Sequence, residues 1–166
     1  MILLTLPDSG TVEGNTYANP SVGVSLSFPG TWKPLRVLAG GYTSVRGFDK
    51  LFAAGESPDN WLLVSTLKLS VADTGRLTAY LLRDQLRNAE YTVEPKTAEI
   101  KVGSKKLFRL SYTGAVGQTP FHCALFITGH NKSVLLFEFC ASNKPALDSA
   151  LTTVQSLNFT KAKKEK

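Results

Sequence analysis

Alternating apolar and polar positions predict the strands of this chain. In residues 22–28, VGVSLSF, every second side chain is apolar and the others are Gly or Ser, which predicts a strand with one buried face that ends at Pro29-Gly30. Residues 61–69, WLLVSTLKL, begin with apolar side chains on both faces, which is typical of a strand inside a sheet covered on both sides. Shorter strands are predicted around 42–45 and 51–54.

Residues 76–90 have the 3.6-residue periodicity of an amphipathic helix, and Asp73 or Thr74 precedes them as a candidate cap. The predicted buried face consists of Leu77, Leu81, Leu82, Leu86 and Ala89. Arg83, Arg87 and Glu90 lie on the opposite side. A solvated face is the favoured interpretation of that side, and partner binding is the alternative.

The second half of the chain predicts two hairpins and a closing helix. Gly103-Ser104 separates strands at 100–102 and 106–112, and residues 129–132 separate two strongly apolar strands at 121–128 and 133–140. The closing helix begins at Ser142 or Asn143, with Pro145 in its first turn. Its predicted buried stripe contains Ala146, Leu147, Ala150, Leu151, Val154 and Leu157.

This element order predicts an α+β fold in which a mainly antiparallel β-sheet is sandwiched by helices in a single domain. Residues 1–16 are predicted to form an extended N-terminal arm, residues 17–160 the domain, and residues 161–166 a disordered basic tail. No repeat or linker divides the chain.

Composition excludes several classes of protein. The chain has 166 residues, of which 43% are hydrophobic and 19% are charged, an ordinary globular mixture that excludes wholesale disorder. No apolar run approaches the ~20 residues of a transmembrane helix. With two Cys, the chain is not a disulfide-dense scaffold either.

The net charge of +6 indicates less about partners than its size implies. Residues 161–166 contain four Lys and one Glu, so half of the net charge lies in the tail. A nucleic-acid interface requires a basic patch on the folded surface, so nucleic acid is not expected as a partner. The sequence also lacks a phosphate-binding glycine loop and a dinucleotide fingerprint, and no cofactor is expected.

The second hairpin gathers four residues of the types that bind zinc, namely His122, Cys123, His130 and Cys140. His122 and Cys123 are neighbours on a strand and point to opposite faces, and His130 lies roughly 20 Å from Cys123 along the strand, so one metal ion cannot collect the set. No metal site is therefore predicted. Cys123 and Cys140 are interpreted as small buried hydrophobes, with a cross-strand disulfide as the alternative.

Glu138 is a charged residue within the apolar strand at 133–140. If the turn is centred near His130, Glu138 lies opposite His122, which predicts a carboxylate–imidazole pair. An ion pair on a partly exposed face is the favoured interpretation, and a proton-handling site is the alternative. We otherwise find no catalytic motif, so the protein is expected not to be an enzyme.

Four cations on the first hairpin, Lys101, Lys105, Lys106 and Arg109, are the main candidates for partner contact, together with Arg83 and Arg87 of the helix. An acidic protein surface would suit both groups. For the hairpin itself, lysines that guard an exposed sheet edge are the favoured interpretation, and partner contact is the alternative.

The segment VGVSLSFPGTW at 22–32, an amphipathic strand that ends in Pro with Trp shortly after, resembles the opening of PsbP-like domains and of the related DcrB-type lipoproteins. The closing helix, which ends in SLNF at 156–159, resembles the end of the same family. The resemblance covers roughly residues 17–160. No lipid-attachment Cys stands near residue 1, which departs from the lipoprotein pattern.

This resemblance implies an antiparallel sheet between helices and a non-enzymatic accessory or protein-interaction role within a larger complex, with no catalytic residues to carry over. It also implies an extracytoplasmic location, periplasmic or secreted, with any export signal absent from this chain; a cytoplasmic location is the alternative. The second functional hypothesis is a small-ligand carrier with an apolar pocket between sheet and helix, lined by aromatic residues such as Tyr42, Trp61 or Tyr112.

Overall fold

The computed structural model describes residues 10–35, 45–69 and 75–162, and within them the strands form two antiparallel sheets. The smaller sheet has four strands. In spatial order they are β1 (Thr11–Glu13), β2 (Thr16–Asn19), β3 (Val24–Ser27) and β12 (Asn158–Phe159). The alternating segment at 22–28 thus supplies β3, as predicted. Residues 11–13, assigned above to the N-terminal arm, pair with β2 in this sheet.

The larger sheet has eight strands. In spatial order they are β4 (Lys33–Pro34), β5 (Asp49–Ser57), β6 (Asn60–Lys68), β11 (Ser133–Ala141), β10 (Thr119–His130), β9 (Lys105–Val116) and β7 (Thr92–Val93), and β8 (Ala98–Val102) also pairs with β9. The apolar strand predicted at 61–69 and both apolar strands of the second hairpin are central in it. Their burial on both faces explains why these strands lack clean alternation.

Two helices accompany the sheets. Helix α1 (Arg76–Asn88) packs against β9, β10 and β7. Helix α2 (Lys144–Ala150) and the 3₁₀ segment Leu151–Ser156 lie on the other face, against β11, β10 and β3. The predicted cap of α2 is confirmed, since Asn143 Oδ1 accepts a hydrogen bond from the Ala146 N–H at 2.9 Å. The candidate caps of α1, Asp73 and Thr74, lie outside the described residues.

The predicted antiparallel α+β fold is confirmed, but the expectation that helices sandwich the sheet is overstated, because the described residues form few and short helices. One face of the large sheet, the α1 face, packs against α1. Its other face, the small-sheet face, packs against the small sheet as well as α2. There Tyr17 of β2 stacks on Phe52 of β5 with ring centroids 4.4 Å apart, and Phe28 also contacts Phe52. Strands therefore supply much of the layer that was assigned to helices, because short amphipathic strands bury an apolar face equally well.

The predicted buried face of α1 is partly wrong. Leu82 and Leu86 are buried, whereas Leu77 and Leu81 are 63% and 62% exposed. Ala89 is exposed as well. The helix instead turns Thr78 and Ala79 toward the sheet, and small side chains there let the helix backbone approach the strands closely. None of the helices in the described parts of the chain is long and apolar enough to cross a membrane.

Candidate functional site

The turn of the second hairpin determines which residues meet across β10 and β11. His130 pairs with Ser133, so the loop is the two-residue pair Asn131-Lys132, with φ values of 49° and 61°. Positive φ at both central residues is typical of the tight hairpin turn whose twist matches that of the strands. The turn centre is therefore displaced from the position near His130 assumed above.

This register overturns the predicted pairing of His122 with Glu138. His122 lies opposite Ala141, and Glu138 lies opposite Leu125. The two side chains also point to opposite faces of the sheet, since the shift of three residues changes the face. His122 is on the small-sheet face with Ala124, and Glu138 is on the α1 face, so the two cannot form a proton-handling pair.

The same register places Cys123 directly opposite Cys140, with Cα atoms 4.2 Å apart, and the two form a disulfide. The interpretation of these cysteines as unpaired hydrophobes is therefore wrong. The disulfide lies in the middle of a row of side chains that crosses four neighbouring strands on the α1 face, in the order Tyr112, Cys123, Cys140 and Trp61. We call this the disulfide row.

Glu138 lies beside the disulfide row, two residues before Cys140 on the same strand, and is completely buried. The Tyr112 hydroxyl donates a hydrogen bond of 2.6 Å to Glu138 Oε1 and lies 4.0 Å from Cys140 Sγ. Sequence reasoning missed Tyr112 as the partner of Glu138. Finding it requires two registers: the turn Asn131-Lys132 places Glu138 on the strand beside Cys123, and the turn at 117–118 between β9 and β10 places Tyr112 opposite Cys123.

The aromatic residues proposed for a ligand pocket lie in or near this row. Trp61 and Tyr112 are both buried, and Tyr112 makes edge contacts with Tyr91 and Phe121, at ring-centroid distances of 5.4 Å and 6.4 Å. Tyr42 falls outside the described residues. The carrier hypothesis stays a prediction.

The first hairpin does not present its four cations on one surface. Lys101 pairs with Lys106 across β8 and β9 on the α1 face, whereas Lys105 and Arg109 lie on the small-sheet face with Leu107. Lys106 also makes an exposed ion pair with Glu99 at 3.3 Å. Their predicted role in partner binding is therefore divided between two surfaces.

Besides Lys106, three more of the predicted partner-binding cations make local contacts. Lys105 Nζ donates to the Gly129 carbonyl at 3.0 Å, and Arg109 Nε donates to Ser111 Oγ at 3.2 Å, with its guanidinium 5.8 Å from the Phe126 ring centroid. Arg83 Nη2 donates to the Pro95 carbonyl at 2.7 Å and so ties α1 to the segment between β7 and β8. Arg87, in the last turn of α1, is exposed.

The outward side of α1 carries two leucines, Leu77 and Leu81, that the sequence predicted to be buried. Leu77, Tyr80 and Leu81 are 63%, 49% and 62% exposed, and the i, i+3, i+4 spacing brings them together on one side of the helix. We call these three residues the α1 patch. Their apolar character was visible in the sequence, but their exposure follows from the way α1 rotates on the sheet.

Comparison with solved structures identifies the fold of the chain. No protein-family model matches the chain, and no curated protein matches it. Among solved structures, the solution structure of cyanobacterial PsbP (CyanoP) from Synechocystis sp. PCC 6803 has a TM-score of 0.64 at 14% sequence identity, over 91% of this chain and 98% of that one. The chain has a PsbP-like fold.

A second match is a crystal structure from Bacteroides thetaiotaomicron VPI-5482, with a TM-score of 0.59 and 16% identity over 90% of this chain. The match covers 50% of that protein, so the present chain spans half of its length. These likenesses confirm the resemblance seen in the strand that ends at Pro29. A shared fold does not assign a role, so the role has to be argued from the surfaces of the molecule.

Proposed function

We propose that this chain is a non-enzymatic accessory domain that binds another protein through the α1 patch. The observation that supports the proposal is the exposure of Leu77, Tyr80 and Leu81 together on one helix. Single exposed apolar side chains are ordinary on protein surfaces, but an adjacent group of large ones is typical of interaction sites. Tyrosine is in addition one of the residues that contribute most to binding energy at interfaces.

The charges of α1 indicate the kind of partner. The helix contains three Arg and one Asp, so its polar positions carry a net positive charge around the apolar patch. A partner with an apolar groove and an acidic rim would complement it, as when an amphipathic helix lies in a groove of another protein. Exposed Arg87 is a candidate for contact with that rim, whereas Arg83 is already used to hold the segment after β7.

An accessory role is also what the family resemblance implies. We further propose an extracytoplasmic location. The Cys123–Cys140 disulfide supports it, because disulfides persist mainly in oxidising compartments.

The α1 patch can be tested by affinity capture from an extract of the source organism, followed by measurement with the purified partner. The double variant Leu77→Ser/Leu81→Ser should weaken binding at least about tenfold, because it removes two apolar anchors from the contact. Val116→Ser is the matched control, since Val116 is also an exposed apolar residue, at 75%, but lies at the end of β9.

A second variant distinguishes the α1 patch from the basic hairpin as the binding surface. Charge reversal by Lys101→Glu/Lys106→Glu tests the cations on the α1 face of β8 and β9. Loss of binding in this variant but not in Leu77→Ser/Leu81→Ser would move the interface to the hairpin. Equal binding by all variants would contradict the proposal.

A further inference from the structure

Three potential metal ligands meet at the disulfide row. The sulfur atoms of Cys123 and Cys140 and a carboxylate oxygen of Glu138 all lie within 4.8 Å of one another, and all three residues are buried. They come from two neighbouring strands in the centre of the large sheet, which holds their backbones in place.

A carboxylate is an unusual occupant of this position. The residues directly opposite Glu138 on the neighbouring strands are Leu125 and Leu63, so an apolar side chain would fit the surroundings without the cost of desolvating a charge. Buried ionisable groups with a defined partner are common at functional sites. The 2.6 Å hydrogen bond from Tyr112 fixes the position of Glu138 Oε1 next to the sulfur atoms.

We propose that reduction of the Cys123–Cys140 disulfide converts this cluster into a binding site for Zn²⁺. Two thiolates and a carboxylate are ligand types that Zn²⁺ takes in proteins, and thiolates favour Zn²⁺ over hard cations such as Mg²⁺. A water molecule or the Tyr112 hydroxyl would complete a tetrahedral set. Tyr112 also acts as an outer partner that holds the carboxylate ligand.

The chemistry balances with a dithiol as the reductant. The dithiol supplies two electrons and two protons, the S–S bond breaks, two cysteine thiols form, and the dithiol becomes a cyclic disulfide. Binding of Zn²⁺ then releases the two thiol protons, because the metal binds thiolates. The sulfur atoms, ~2.05 Å apart in a disulfide, separate so that each lies ~2.3 Å from the metal, a movement that rotation of the cysteine side chains supplies.

This metal site is separate from the α1 patch, which points outward. It is not separate from the proposed extracytoplasmic location, because that location is argued from the same disulfide in its oxidised form, so the metal-bound state requires a dithiol reductant there. It makes the protein sensitive to redox conditions: the oxidised chain has a closed disulfide, and the reduced chain holds a metal ion. The disulfide and the metal therefore exclude each other.

Cobalt provides the direct test, because Co²⁺ bound by thiolate absorbs strongly in the near ultraviolet. The purified chain is reduced with dithiothreitol, freed of reductant under anaerobic conditions and titrated with Co²⁺ and then Zn²⁺. We expect one Co²⁺ per reduced chain with a sulfur-to-cobalt band that Zn²⁺ abolishes, and no band for the oxidised chain. Absence of the band in the reduced chain would overturn the proposal, as would loss of its native circular dichroism on reduction.

Variants test the set of ligands. Glu138→Gln should weaken Co²⁺ affinity at least about tenfold, and Tyr112→Phe should weaken it less. Glu99→Gln, which changes an exposed glutamate on β8, should leave the affinity unchanged. Wild-type affinity in Glu138→Gln would overturn the three-ligand site. If that variant does not fold, alkylation of the reduced wild-type chain decides: Zn²⁺ should protect both cysteines, and equal alkylation rates with and without Zn²⁺ would overturn the proposal.

Discussion

His130 Nε2 lies 2.7 Å from the carbonyl oxygen of Thr160. This contact connects the end of the β10–β11 hairpin in the large sheet to the residue that follows β12 in the small sheet. The same nitrogen lies 3.1 Å from the Gly23 carbonyl, and the imidazole ring packs edge-on to Phe159. The two sheets are therefore joined by specific polar contacts at this end as well as by the apolar layer between them.

The His130 contact should make stability depend on pH. Burial lowers the pKa of His130, and nearby Lys105 lowers it further. The hydrogen bonds to the Thr160 and Gly23 carbonyls raise the pKa, but the net shift is downward. Because the folded pKa lies below the unfolded value of about 6.5, the stabilisation is complete above that value and is lost as pH falls through the folded pKa. Denaturant unfolding at a series of pH values should show that the free energy of unfolding depends less on pH in His130→Gln than in the wild type.

The other histidine provides the control for that measurement. His122→Gln removes a histidine from the small-sheet face of β10, away from the junction with Thr160. In this variant the free energy of unfolding should still fall as pH drops below about 6.5. An unchanged pH dependence in His130→Gln would contradict the assignment.

Gly23 should be intolerant of any side chain. Its φ is 72°, and a Cβ atom there would collide with the Thr160 carbonyl oxygen and the Asn131 side chain. We expect Gly23→Ala to lower the free energy of unfolding by at least about 3 kcal/mol, which combines backbone strain with separation of the two sheets. Gly117→Ala is the matched control, because Gly117 has a φ of 62° but open space around it. It should cost about 1–2 kcal/mol, and equal losses in the two variants would show that the collision has no effect.

The orientation of α1 can be tested with two neighbouring leucines. Leu82→Ala should lower the free energy of unfolding by about 2–5 kcal/mol, because the Leu82 side chain is buried against the sheet. Leu81→Ala should change it by less than about 0.5 kcal/mol, because Leu81 is 62% exposed. Thermal or denaturant unfolding of the pair measures both values. A large loss in Leu81→Ala would mean that the α1 patch is covered within this chain, which would remove the basis for the proposed interface.

Tyr17 should ionise at an unusually high pH for a tyrosine. Burial raises its pKa to about 12, and its hydrogen bond from Asn19 lowers it less. The stabilisation from neutral Tyr17 is therefore present below the unfolded pKa of about 10 and is lost as pH rises through about 12. Ultraviolet titration of tyrosinate should show a step near pH 12, and Tyr17→Phe should remove that step. Early ionisation of Tyr17 in chain that keeps its native circular dichroism would contradict the prediction.

Local patterns predicted much of the fold. The strand at 61–69, the two apolar strands of the second hairpin and the Asn143 cap all depend on residues close in sequence, so periodicity and turn chemistry identify them. The rotation of α1 could not be predicted in this way. Leu77, Leu81, Leu82 and Leu86 are equally apolar, and only the sheet beneath the helix determines which of them are buried.

The residues of the candidate site are brought together by the register of β10 and β11, and local sequence patterns did not predict the turn that sets this register. Neither residue of the turn Asn131-Lys132 is Gly, although both have positive φ, so the usual signal for a two-residue hairpin loop was absent. The resulting shift of three residues replaced the expected partner His122 with Leu125 and aligned Cys123 with Cys140. Hydrophobic pattern did not correct the error, because both faces of these strands are apolar.

The pairing of β12 with β3 has a consequence for synthesis of the protein on the ribosome. Ser156 Oγ donates to the Ser27 carbonyl and accepts from the Ser27 N–H, at 3.0 Å and 2.8 Å, across a separation of 129 residues. The β10–β11 hairpin can form as soon as it leaves the exit tunnel. Strand β3 emerges early and can pair with β2, but its other edge lacks β12 until residues 158–159 arrive. During that interval one edge of the small sheet is open and can pair with a strand of another chain, so the interval between synthesis of β3 and of β12 is when mispairing at this edge can occur.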